Sequence, residues 1–228
     1  MCFTPTISLS VAVIEFILAT TLLFSFPKTT LRNFSAALIY LLGFYQFTEF
    51  MLCTSGNPIF WAKLGFIAYT FLPAIGLHTA LRFVNRKPNY FIIYSIPLIF
   101  GALAFYFPVI LSASCQTFFV EVRNIFNQAG DSLNAILFSI YEIYYFGFIF
   151  ATCLLFYLDF RSNKNKRKKK IDIIEISGIL LMTIPTIVLL VIFPYLGKRS
   201  ASVLCGFALS VAITSFIVVY LESKIRKN

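Results

Sequence analysis

Charge is scarce in this chain. Asp, Glu, Lys and Arg together make up 12% of its 228 residues, while hydrophobic residues make up 59%. That balance excludes a soluble globular domain of this length. Histidine occurs once, as His78, which excludes the regularly spaced His and carboxylate sets that membrane zinc hydrolases use. No serine sits in a Gly-x-Ser-x-Gly setting, so no nucleophile elbow is present for His78 to serve. The five cysteines, Cys2, Cys53, Cys115, Cys153 and Cys205, include no Cys-x-x-Cys spacing. No catalytic constellation emerges, and enzyme activity is not expected. The first residues lack a basic region and a small-residue cleavage site, so the first apolar run reads as a retained helix. No internal repeat points to a transporter of duplicated halves.

Long apolar runs fill the space that charge leaves. Seven of them lie near Ile7–Phe26, Asn33–Cys53, Ile59–Phe83, Tyr90–Ile110, Asn134–Phe160, Ile171–Tyr195 and Ala201–Glu222. About 20 apolar residues span the hydrocarbon core, and only a helix satisfies its own backbone there. The expected fold class is therefore all-α: a single polytopic domain over residues 1–228, a bundle of seven transmembrane helices. Of the 19 Lys and Arg, all but Lys63, Arg123, Lys198 and Arg199 fall after spans one, three and five or in the tail. This bias predicts an outside N-terminus and a cytoplasmic C-terminus. Four of the cysteines then lie near the outer face, where disulfides are permitted but their pairing is open.

Two connections stand out. The outer one, about Leu111 to Leu133, holds Cys115, Gln116, Glu121, Arg123, Asn124, Asn127, Gln128 and Asp131. It is large enough to cover a site, and its stretch Thr117–Phe126 is a candidate short interfacial helix. The inner one contains Arg161, Lys164, Lys166, Arg167, Lys168, Lys169 and Lys170. It reads as a topology signal lying against anionic lipid headgroups, with contact to a cytoplasmic partner as the alternative. Pro73, Pro97 and Pro185 fall inside spans, where each removes a backbone donor. Tyr90, Tyr94, Tyr141, Tyr144, Tyr145, Tyr195 and Trp61 are expected in the interfacial aromatic belt.

Ionisable residues within spans cost several kcal/mol unless paired or hydrated, so each is a candidate site. Glu15 lies midway along the first span. Gln46 and Glu49 share one face of the second through their i, i+3 spacing. Glu142 falls in the outer half of the fifth. Together with Cys2 before the first span and Cys205 early in the seventh, Gln46, Glu49 and Glu142 define a candidate outward-facing pocket. A structural reading competes at each position: hydration for Glu49, interhelical bonding for Gln46, plain packing for Cys205. Asp172 and Glu175 are expected to open the sixth helix, facing the basic run, and Asp159 neighbours Arg161. His78 is expected to be a satisfied structural histidine.

The segment from Phe60-Trp-Ala-Lys to Pro73, continuing through Ala80-Leu-Arg-Phe-Val-Asn-Arg86, resembles helix 3 of the seven-helix sensor region of some bacterial histidine kinases. Here no kinase domain follows Asn228. The segments Met1-Cys-Phe-Thr, Gln46-Phe-Thr-Glu49 and Ser202-Val-Leu-Cys205 are similar to an uncharacterised bacterial membrane family. Its members begin Met-Cys-Phe-Ser and carry Gln-x-x-Glu and Ser-x-x-Cys motifs. Thr4 stands where that family usually has Ser, and the aromatic that usually follows the Glu is missing. The first resemblance implies a sensor or receptor-like protein signalling to a separate cytoplasmic partner. A small-solute or ion transporter or channel, with Glu15 on its path, is the alternative. A further one is a thiol or metal-binding protein using Cys2, Glu49 and Cys205. The residues name no cofactor.

Overall fold

The computed structural model describes residues 5–115, 120–124, 132–195 and 205–227. These form seven helices and one small sheet: α1 (Pro5–Ser25), α2 (Thr30–Thr54), α3 (Pro58–Phe83), α4 (Tyr90–Tyr106), β1 (Ile110–Cys115), β2 (Val120–Asn124), α5 (Ser132–Ser162), α6 (Lys166–Tyr195) and α7 (Cys205–Lys227). Pro5–Ser25, Thr30–Thr54, Pro58–Phe83 and Ile136–Ser162 are long and apolar enough to cross a membrane. The outward faces are apolar too. Phe24, Phe91, Ile143 and Phe150 are all exposed, an arrangement suited to a hydrocarbon solvent and costly in water.

Short polar signals set where α2, α3 and α4 start. Thr29 accepts from the Arg32 N–H, Asn57 from that of Phe60, and Asn89 from that of Ile92, each capping a first turn. Arg32 then turns back to close the preceding helix. Its guanidinium donates to the Leu23 and Phe26 carbonyls at 3.1 and 2.9 Å, and to Asn33 Oδ1. A buried cation is thus satisfied by the last carbonyls of α1, where the helix dipole favours it. Thr29 Oγ1 also donates to Glu222 at 2.8 Å, tying the start of α2 to the end of α7.

α2, α3, α5, α6 and α7 pack as a closed ring, with α1 and α4 outside it. α2 packs on α1, α3 and α7; α3 packs on α4 and α5; α6 joins α5 to α7 and closes the circuit. One core lies at the hairpin end, around Phe66, Phe100, Tyr141 and Tyr145. A second lies toward the polybasic end, around Leu22, Ile39, Ile171 and Val218. Leu42, Leu72 and Ala208 join them in the middle. Glycine permits the closest approach between α6 and α7: a Cβ on Gly178 would lie 2.5 Å from Thr214 Oγ1. Gly178→Leu should therefore destabilise the bundle by about 1–3 kcal/mol through overpacking. Gly147→Leu, at an exposed site with nothing within 4 Å of the new Cβ, should leave the thermal midpoint nearly unchanged.

Several expectations are corrected. Within Thr117–Phe126 the described residues are a strand and not an interfacial helix. Val120 to Asn124 pairs antiparallel with β1, from Cys115↔Val120 to Ile110↔Asn124, with an irregularity between Ile110 and Ser112. The alternation Val-Glu-Val-Arg has the period of a strand, and Val120 is buried. α4 stops at Tyr106, short of Ile110, because Pro108 disfavours helical backbone at Phe107. α6 begins at Lys166, capped by Asn165 Oδ1, which accepts from Arg167 and Lys168 N–H. Of the polybasic run only residues 163–165 are therefore outside a helix, and Asp172 lies beyond the first turn of α6 instead of opening it. Tyr141, Tyr144 and Tyr145 belong to the core and not to an interfacial belt.

Candidate functional site: a buried polar seam on α2

The hairpin half of α2 turns an unusual set of side chains inward. Tyr45, Gln46, Thr48 and Glu49 are all buried, Gln46 and Thr48 almost completely. Tyr45 and Glu49 are one turn apart, and the Tyr45 hydroxyl donates to Glu49 Oε1 at 2.8 Å. Thr48 Oγ1 donates to the Tyr45 carbonyl at 2.7 Å. Gly65 of α3 faces that hydroxyl, since a Cβ there would lie 2.7 Å from it. The polar face of α2 is thereby pressed directly against α3.

An aromatic cluster continues the seam. The Tyr45 ring meets Tyr69 edge-on at 6.0 Å, and Tyr69 in turn meets Tyr141 and Tyr145 at 6.3 and 6.1 Å. Tyr141 exchanges a hydrogen bond with Thr70 Oγ1 at 3.1 Å, and the Tyr144 hydroxyl donates to the Thr70 carbonyl at 2.6 Å. Pro73 lies just beyond these contacts, and it has no N–H to offer the Tyr69 carbonyl one turn back. Tyr144→Phe should cost about 1 kcal/mol, the net value of one such bond, read as a lower thermal midpoint.

The cap over this end is covalently held. Cys53, one turn beyond Glu49, forms a disulfide with Cys115 at the end of β1. Val109, Ile110 and Val120 pack into the same core as Leu52, Ala62 and Phe66. The hairpin thus covers the ends of α2 and α3.

Glu15 occupies a different interface. It lies on the buried stripe of α1 with Ser8, Ala12, Ala19 and Leu22, and its Cβ would lie 3.3 Å from a Cβ on Gly43. Ala19 packs with Ile39 and Ala212, so the stripe faces α2 and α7. Glu15 is fully buried, and neither carboxylate oxygen has a hydrogen-bond partner.

The structure keeps Gln46 and Glu49 together on the inner face of α2. Cys205 begins α7, one turn before Ala208, which packs against Leu42. Its backbone therefore lies at the hairpin end of α2, on the level of Gln46; its side chain is outside the description. Cys2, Gln116, Asn127, Gln128 and Asp131 lie outside the described residues. Glu142 is half-buried on α5, and α3 stands between α5 and α2. His78 is buried, with Nδ1 bonded to Tyr94 OH at 2.8 Å and its ring 4.3 Å from Phe34. At the polybasic end, Asp159 pairs with Lys168 at 3.0 Å, and Lys168 also lies over the Phe83 ring. Asp172 is fully buried there, while Glu175 is half-buried. Among the described residues, no group of three His, Cys, Asp or Glu could hold a metal ion.

The tyrosine cluster is the part of the seam that a linear reading misses. Its signal was available: Tyr141, Tyr144 and Tyr145 share one helical face through i, i+3 and i+4 spacing. The all-helical fold, with four helices long and apolar enough to cross a membrane, is that expected of a helical membrane protein. No family model, curated protein or solved structure matches the chain.

Proposed function

We propose that the protein is a seven-helix membrane sensor or receptor-like protein whose responsive element is the Gln46–Glu49 face of α2. The observation that carries this reading is the burial of Tyr45, Gln46, Thr48 and Glu49 against α3, beneath a disulfide-held hairpin. A charged or polar ligand that competes with Tyr45 for Glu49 changes the packing of α2 on α3. Such a ligand shifts a conformational equilibrium only to the extent that it prefers one packing. The skew of Lys and Arg supports an outside N-terminus, and the likeness to bacterial membrane families supports placing it in a bacterial inner membrane. A disulfide at the hairpin end supports the same orientation, since oxidising conditions prevail outside the cytoplasm. The likeness of the third span to histidine-kinase sensor regions supports a separate signalling partner on the basic side.

Native mass spectrometry of the intact, detergent-purified protein without reductant tests this. A bound molecule or ion should be present and be lost on Glu49→Gln and on Gln46→Leu. A bare mass in the parent protein, or retention in both variants, overturns the assignment.

Glu15 favours a second reading, ion or proton translocation, because an unpartnered carboxylate within a span is a recurrent feature of transport pathways. In liposomes, Glu15→Gln should abolish ion-driven flux if this reading holds. It should leave ligand retention at Glu49 intact if the sensor reading holds.

The basic connection divides its work. Arg161, Lys164, Lys166, Arg167 and Lys170 are exposed, whereas Lys168 and Lys169 are half-buried over Phe83 and Phe160. The five exposed residues would meet anionic headgroups, each contributing about 1 kcal/mol. Neutralising Arg167 should weaken retention of an anionic lipid about fivefold by native mass spectrometry. Lys168→Ala should instead lower stability by up to about 1 kcal/mol, through loss of its partly exposed pair with Asp159.

A further inference from the structure

The turn between α3 and α4 gathers cations that nothing nearby answers. Between Glu49 and Glu121 the chain has no Asp or Glu, yet Arg82, Arg86 and Lys87 follow one another closely there. All three are exposed, and among the described residues none of them pairs with a carboxylate. Other cations of the protein are spent: Arg32 on helix-end carbonyls, Lys63 on the Phe105 and Phe107 carbonyls, Lys168 on Asp159. Lys168 also lies over the ring of Phe83, which sets this turn at the polybasic end of the bundle.

The turn has a fixed shape. The Arg86 N–H donates to the Leu81 carbonyl at 2.8 Å and the Asn85 N–H to that of Arg82 at 3.1 Å, around Asn85 at φ 58°. This is the left-handed closure with which helices commonly end, at a residue type that tolerates it. Pro88 restricts the next step, and Asn89 caps α4. Arg82 is aimed as well, because its Nη2 donates to the Tyr90 hydroxyl at 2.9 Å. That oxygen accepts from Arg82, so its own proton is left to donate outward. The Tyr90 ring is steadied edge-on against His78. From this corner α4 runs into the span, packed chiefly on α3. Its other face is apolar and exposed at Phe91, Ile92, Leu98 and Ile99.

We propose that this corner and the exposed face of α4 together bind one anionic phospholipid from the leaflet at the basic end. Its phosphate is held by Arg82, Arg86, Lys87 and the Tyr90 hydroxyl, and an acyl chain lies along α4. The guanidinium fork matches phosphate oxygens two at a time, and a side chain already aimed loses little freedom on binding. The 17 residues of α4 make a helix about 25 Å long, more than the roughly 15 Å of hydrocarbon in one leaflet. A soluble acidic partner would use the cations and leave the apolar face idle, whereas a phospholipid uses both. The site is apart from the α2 seam and from the α5–α6 connection, and it stands or falls separately from them.

Photolabelling of the full-length protein in nanodiscs tests this, with two phospholipid probes that carry the same acyl-chain diazirine. One has a phosphoglycerol headgroup and the other phosphocholine, and labelled peptides are mapped by mass spectrometry. The phosphoglycerol probe should half-saturate labelling of the α4 segment Phe91–Ile99 at a mole fraction about tenfold lower than the phosphocholine probe. Arg82→Gln combined with Arg86→Gln should remove most of that difference. Lys164→Gln combined with Lys166→Gln, which takes the same charge from another exposed connection, should leave it intact. Phosphocholine labelling unchanged in both double variants shows that α4 is still seated. Equal labelling by the two probes overturns the site, as does an equal loss in the two double variants. Displacement of the phosphoglycerol probe by millimolar inorganic phosphate overturns the lipid as occupant, since the corner would then hold the anion without the chain. Cross-linking of α4 to a second copy in place of the probe overturns it too.

Discussion

Replacing Cys53 with Ser should lower the thermal midpoint of the detergent-solubilised protein by on the order of 10 °C. The Cys53–Cys115 bond closes a loop with a sequence separation of 62 residues that contains all of α3 and α4. Releasing a loop of that length is worth about 4 kcal/mol by chain entropy, and a domain of this size changes its midpoint by about 2–4 °C per kcal/mol. The native contacts at stake reinforce this. Val109, Ile110 and Val120 are buried against Leu52 and Phe66 only while the hairpin stays seated. Cys115→Ser should match Cys53→Ser, and the double variant should be no worse than either, because both remove one bond. Unfolding followed by intrinsic fluorescence, with and without reductant, checks all three. Equal midpoints for parent and variants would mean that the hairpin is held by its apolar contacts alone.

Replacing Glu15 with Met should have the opposite sign. Both carboxylate oxygens are buried without a hydrogen-bond partner, and an unsatisfied buried polar group costs about 1–3 kcal/mol. Met has similar length and fills the same space between α1 and α2 without that cost. Glu15→Met should therefore raise the thermal midpoint, by several °C on the same scale. An ionisable residue that costs stability inside a span is expected to serve the protein's activity. Any measured response or flux should fall in this variant even as stability rises. A drop in stability would show instead that Glu15 has a partner in the membrane that holds it in place.

Most of the helical plan could be read along the chain. Apolar runs such as Pro5–Ser25 and Pro58–Phe83 reveal themselves because a span has to satisfy its own backbone and present hydrocarbon to hydrocarbon. The i, i+3 spacing of Gln46 and Glu49 placed both on one face of α2, since that relation is local to the helix. Where the reading failed, long-range contacts decided. Tyr141, Tyr144 and Tyr145 lie near a helix end in sequence, where tyrosine usually meets headgroups. Contact with Phe66, Tyr69 and Thr70 on α3 instead draws them into the core. The helical start of the polybasic run was obscured by its own charge. Asn165 caps it, and Asp159 on the neighbouring helix takes up Lys168.

The amino-acid sequence by itself determined the helical plan, the apolar runs suited to a membrane, and which carboxylates are costly within them. Hydropathy, helix length and charge are properties of consecutive residues, so they need no fold to be expressed. Only the tertiary structure decided that Cys53 bonds Cys115, that Glu15 faces Gly43, and that Arg82 meets Tyr90. Each of these joins residues on different helices. In a membrane, where apolar burial hardly distinguishes protein from lipid, such pairings follow from shape, small residues and hydrogen bonds between helices. Those properties belong to two surfaces at once.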